Sequence, residues 1–470
     1  MTDTRESKSR STRTSYSPQH RTALVLTGTG TSGAYHAGVL RALHEAGVKI
    51  DVIGANGIGV VGALFAAMDG TQKLWDEKGF WRSPEVRAFY PWHQTHRLAV
   101  YALALSIVIV FVPIGAMAIG LVVYPIDFVL KMIGLTGASG LVGSYLRLAE
   151  SAFAPEGLPT WIPRLVVLVI GLVGVVALAN AWMSASARKE RGPLWWRLVR
   201  PPLSSNEPVN HCWRVLWDLL RGAAQLKQPA PLELGRRYLE LVAENLGQPG
   251  FRELVIGVHD LDAHRDLIFA LVDESRRPGL IRRPTSEAAE ERRAEIFDLA
   301  GVAREYLPAI VAGALAVPLA SEPSEMRFAA DAYWRGEVHR LCDRPASVAR
   351  LLEELIHLNA QQIVVVSSAP DAGAPHTLSP PRLDGRGRIG EYLQSSEAAA
   401  VRDSTRLAMG KPVQLFAVRP DHNPFGPFDF NGAFDVRSDR PLFLEELMAR
   451  GYEDAYHQFI EPVVGASGEL

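Results

Sequence analysis

Apolar positions along this chain fall into two textures: short runs closed by glycine-rich turns, and two much longer runs without a single charge. The short runs frame the chain. Thr22–Leu26 (TALVL) predicts a buried strand, residues 34–46 a helix ended by Gly47, residues 48–53 a second strand and residues 60–68 a second helix. Strand, turn and helix repeated in that order begin a mostly parallel sheet flanked by helices, the α/β class. Residues 254–258, 267–272 and 363–367 predict further strands, and the Pro/Gly/Asp-rich stretch 423–439 a loop.

The long runs interrupt this pattern. Leu98 to Ile126 is uncharged, and a helix of ~20 such residues crosses the ~30 Å hydrocarbon core. Pro113 within it is tolerated where packed neighbours satisfy the freed backbone. Leu165 to Ala187 is also uncharged, and eleven Leu, Ile or Val between Leu165 and Leu178 favour insertion by roughly 3–6 kcal/mol. The competing reading, two buried core helices of a soluble domain, conflicts with their length. Arg97 precedes the first run, and Arg188, Lys189, Arg191, Arg197 and Arg200 follow the second, which implies a helical hairpin with both ends cytoplasmic. The connector 128–148 is apolar enough for an interfacial helix, and Trp161, Trp182, Trp195 and Trp196 suit interface anchoring.

The division expected is a disordered, basic tail over 1–20, an α/β part over 21–92, a membrane insertion over 93–200 with helices near 98–124 and 165–187, a second α/β part over 201–420 and a C-terminal extension over 421–470. Charge adds little: 49 basic against 51 acidic residues give no field that would draw nucleic acid. Cys212 and Cys342 lack metal-ligand spacing and read as buried thiols. No metal or cofactor is implied. The expected partners are membrane lipids, with a membrane protein or a second copy of the chain beside them.

Two turns carry candidate chemistry. Gly28-Thr29-Gly30-Thr31-Ser32-Gly33 exposes backbone N–H groups at a helix start, as a pyrophosphate cradle or an oxyanion hole requires. The nucleotide reading lacks an acidic residue at the tip of the next strand, which runs into Gly54-Ala55-Asn56-Gly57. The second turn, Ala55-Asn56-Gly57-Ile58-Gly59, has the form of a nucleophile elbow. His36, His259-Asp260 and Asp262 read as packing and turn residues, and His211 has no metal partners.

These residues resemble the patatin-like phospholipase family. Gly33-Ala34-Tyr35-His36-Ala37-Gly38-Val39-Leu40 matches its helix opening G-x-Y-x-x-G-V-L, residues 55–59 its G-x-S-x-G, residues 254–269 its core strand and turn, residues 311–318 its A-S-x-A-x-P segment, and residues 328–333 its D-G-G region. The resemblance implies the family's α/β fold and a Ser–Asp dyad acting on lipid esters. It also places Gly57 at the serine, Ser32 at the usual oxyanion arginine, and Ala330 at the aspartate, with Asp331 offset by one as the candidate dyad acid. The expectation is a catalytically degenerate, lipid-binding or scaffolding protein of lipid metabolism, against an acyl hydrolase using a non-aligned nucleophile such as Thr29, Thr31 or Ser32. Gly57→Ser restores esterase activity if the site is otherwise intact.

Overall fold

The computed structural model describes residues 16–134, 140–185, 201–281, 292–371, 382–408 and 410–465. The chain divides into two units, residues 1–91 with 203–470, and residues 92–202.

The first unit is built on a nine-stranded sheet. Apolar runs too short for helices become its centre: β1 (Thr22–Leu26), β2 (Val52–Ala55), β3 (Glu253–Asp260) and β8 (Gln362–Val366) are parallel neighbours. Between β3 and β8 in the chain come β4 (Arg265–Leu271), β5 (Ile296–Asp298) and the hairpin β6 (Ser324–Arg327) and β7 (Val338–Cys342), while β9 (Gln414–Val418) closes one edge. The path runs β5-β4-β3-β2-β1-β8-β9, with only β4, β6 and β7 introducing antiparallel pairs. The α/β, mostly parallel class expected from the sequence is therefore present. β2 begins at Val52 rather than Val48, since the ladder register with β1 starts at Val52 opposite Ala23.

α1 (Ser32–Glu45) follows β1, and Gly47 ends it at φ +64, a left-handed conformation that suits glycine. α2 (Gly59–Ala66) follows β2. The C-terminal extension is part of this core. Its helix Leu444–Ala455 packs on α1 so closely that a Cβ at Gly38 would lie 1.8 Å from the Met448 carbonyl oxygen. Tyr16 is buried, stacks edge-on against Phe459 and donates to the Lys49 carbonyl, so residues 16–20 of the expected disordered tail are anchored. Residues 1–15 lie outside the described residues.

Among the described residues, the second unit contains one helix, Gln94–Met132, that is long and apolar enough to cross a membrane. It passes through Pro113 and Pro125 and exposes most of its apolar side chains. Two further helices follow, Gly140–Ala152 and Leu158–Ala185. The helix expected within 128–148 thus starts later, because the first helix continues to Met132. Residues 188–200, with the basic flank and Trp195 and Trp196, lie outside the described residues.

Gly38→Ala is expected to lower the thermal midpoint of the purified chain, at a cost of about 1–3 kcal/mol for overpacking, read by differential scanning fluorimetry.

Candidate active site

The carboxyl ends of β1, β2 and β8 meet above the centre of the sheet, where α/β folds place their ligand sites. β1 runs into Thr27-Gly28-Thr29, β2 into Asn56-Gly57 and β8 into Ser367-Ser368. Ala55 ends β2, and the following backbone turns sharply into α2, with Gly57 at φ +57. Gly59 is required for closeness: a Cβ there would lie 2.1 Å from the Leu26 carbonyl oxygen. The elbow geometry is present without its hydroxyl.

The space that a side chain would take at position 57 is filled. A Cβ on Gly57 would stand 2.2 Å from the Gly28 carbonyl oxygen and 2.8 Å from Asp343 Oδ2. The Gly28 carbonyl accepts the Ile58 N–H at 2.9 Å, so the amide just after the elbow is committed to the neighbouring turn. The first turn is covered as well. Thr31 donates its N–H to the Pro427 carbonyl at 3.0 Å and its hydroxyl to the Gly426 carbonyl at 2.9 Å. Gly30, at φ +60, allows this approach, since a Cβ there would be 1.8 Å from the Pro427 oxygen. The covering segment is held by buried Phe425, Phe428 and Phe430, with Phe428 and Phe430 against Tyr90. Part of the stretch expected to be a loop, residues 423–439, is therefore a plug over the first turn. Gly33 lies beneath Trp81, which a Cβ would meet at 2.1 Å.

The carboxylate beside Gly57 is Asp343, directly after β7, and not Asp331. Asp331 sits in the exposed turn joining β6 to β7, so the length of β7 separates the two. Asp343 Oδ2 accepts the Thr29 hydroxyl at 3.1 Å, and its Oδ1 has no partner among the described residues. Burial pushes its carboxyl up to about 7, against partial relief from Thr29 and Asn56. A second buried acid, Glu397, accepts the Ser367 hydroxyl, and its Oε1 would lie 2.9 Å from a Cβ on Gly28. Burial raises it to about 8, and the nearby Asp343 adds to the shift. Ser32 and Ser368 share a 2.6 Å hydroxyl contact in the same chamber.

The other sequence candidates serve structure. His36 is fully buried, with Nε2 2.9 Å from the Thr27 carbonyl, and burial lowers it to about 4, so a neutral ring donates there and fixes the end of β1. His259 pairs with Asp266 at 2.8 Å, and Asp260 with His339 at 2.6 Å, tying β3 to β4 and to β7. Asp262 holds Arg340. His211 bonds Ser83 and the Phe80 carbonyl. Both cysteines are buried, and burial pushes each thiol up to about 12.

Asp343 and Glu397 set a pH dependence. Both folded values lie above the ordinary 3.8 and 4.5, so their contribution to stability is complete below about pH 4 and is lost as pH rises through about 7 and 8. The Asp343→Asn, Glu397→Gln double variant is expected to show less loss of thermal midpoint than wild type between pH 5 and 8; parallel profiles would contradict this.

Comparison with known proteins agrees with the fold. Over 45 residues the chain is 56% identical to patatin-like phospholipase domain-containing protein 6 of Mus musculus and of Homo sapiens, a match covering 9% of this chain and 3% of each relative. A patatin-like phospholipase domain-containing protein of Caenorhabditis elegans is 52% identical over 44 residues, with the same shares. The chain thus aligns with only a small part of these relatives. VipD from Legionella pneumophila superposes with a TM-score of 0.31 at 13% identity, covering 95% of this chain and 67% of that one, a likeness too loose to build on. The patatin-like phospholipase family model matches residues 24–338, about two thirds of the sequence. The chain belongs to the patatin-like phospholipase family.

Proposed function

We propose that this protein is a membrane-associated, catalytically degenerate patatin-like protein that works in lipid metabolism as a scaffold rather than as an esterase. One observation carries the reading: the volume of a nucleophilic side chain at position 57 is taken by the Gly28 carbonyl. An acyl-enzyme needs an attacking atom and free donors for the developing oxyanion. Gly57 offers no such atom, and the Ile58 and Thr31 amides already donate to Gly28 and Pro427. The long apolar helix Gln94–Met132 supports association with a membrane. Lipid is then met at the membrane rather than in the filled crevice.

A second reading rests on a distinct observation. Thr29 Oγ1 lies 3.1 Å from Asp343 Oδ2, a hydroxyl beside a carboxyl held near neutrality. With the plug displaced, Thr29 would attack an ester carbonyl while Asp343 took its proton. Both groups are almost wholly buried, which favours the degenerate reading.

Purified full-length protein in phospholipid vesicles is expected to release no fatty acid and to resist a fluorophosphonate probe. Gly57→Ser is expected to stay unlabelled, because its Cβ displaces backbone rather than entering an open pocket. Labelling mapped to Thr29 and abolished by Asp343→Asn would establish the second reading instead. The membrane component is checked separately: the chain is expected to stay in the pellet after alkaline carbonate washing.

A further inference from the structure

The chain leaves the α/β unit and re-enters it at one place, where Pro91 accepts the Ser204 N–H at 3.0 Å. Beside that point Tyr90 stacks on Phe430, and Phe89 meets the same ring. The turn just before it carries Arg82 and Arg87, both exposed and without an ion pair among the described residues. These arginines share a shallow cavity of about 230 Å³ with Phe443.

Phe443 directly follows a hairpin, Ala433–Asp435 paired with Arg440–Leu442. Side chains alternate across a strand, so Phe434, Pro441 and Phe443 share one face while Asp435 turns inward and is buried; Val436 follows in the turn. Phe434, Val436 and Phe443 are 58%, 64% and 58% exposed. Phe443 lines the cavity together with Arg82, Arg87 and Glu445, so this face adjoins the two arginines, and exposed apolar side chains gathered on one face mark an interaction surface.

We propose that this face is a lipid-contacting rim, in which Phe434, Val436 and Phe443 enter the headgroup region of an anionic membrane and Arg82 and Arg87 bind its phosphates. Aromatic and aliphatic side chains partition into that region while guanidinium groups pair with phosphate oxygens. The rim rests on the membrane reading given above but is separable from it, since a helix can span while the face stays in water. Its arginine part is screened by salt, whereas its apolar part is not.

The test uses the full chain in vesicles of phosphatidylcholine, alone or with phosphatidylglycerol, carrying an environment-sensitive fluorophore on Phe434→Cys or Phe443→Cys; Cys212 and Cys342 are buried. The expected result is blue-shifted emission, quenched by nitroxide-labelled lipid, stronger with phosphatidylglycerol and reduced by Arg82→Gln with Arg87→Gln. Unshifted emission in both lipids from a chain that survives alkaline washing overturns the rim and leaves the spanning helix standing. Shifted emission from a chain that the wash releases retires the spanning helix and upholds the rim. A shift indifferent to phosphatidylglycerol and to the arginine variants overturns the anionic partner.

Discussion

The closed site depends on one hydrogen bond, from the Ile58 amide to the Gly28 carbonyl. It forms only because position 57 has no side chain. A Cβ there would approach that oxygen to 2.2 Å, far inside van der Waals contact. With the side chain gone, the turn after β1 closes on the turn after β2, and two segments that would flank an ester satisfy each other. Buried backbone donors and acceptors must be paired, so the closure removes a cost that an empty pocket would leave. The Pro427 carbonyl does the same for Thr31.

Beneath the closure lies a buried cluster of acids and hydroxyls. Asp343, Glu397, Thr29, Ser32, Ser367 and Ser368 are all buried there, with two carboxyls whose ionisation burial resists. Neutral acids donate as well as accept, which lets buried acids pair with hydroxyls without a counter-ion. Phe425, Phe428 and Phe430 bring apolar bulk into the segment that covers the cluster.

Much of the fold was legible in the sequence. TALVL gave β1 to the residue, because a run of five apolar or β-branched residues between polar and glycine neighbours has few alternatives. Both glycine turns were legible for the same reason: strained or crowded backbone selects glycine. The acid was not. Asp331 was favoured because residues 328–333 resemble the family's D-G-G region, one position off, whereas Asp343 is followed by Arg344 and resembles nothing local; only the sheet brings it to Gly57. Glu397 left a signal that went unread, since it falls on the buried stripe Leu393, Val401 and Ser404 of the helix Gly385–Ala408, where an acid needs a partner. The plug also left one, in three phenylalanines spaced around Gly426, Pro427 and Asp429 between 425 and 430. Length and charge located the first apolar helix but not its end, because Lys131 and Asp127 pair along the helix and let it continue to Met132.

Amide hydrogen exchange at Thr31 and Ile58, followed residue by residue in the full chain, tests the closed site most directly. Protection of both amides close to that of Leu24–Leu26 in β1 is expected, because all of them donate to backbone carbonyls in a buried core. Exchange of Thr31 and Ile58 on the timescale of exposed loops, with β1 still protected, would mean that the crevice stands open and that closure by the protein's own backbone is wrong.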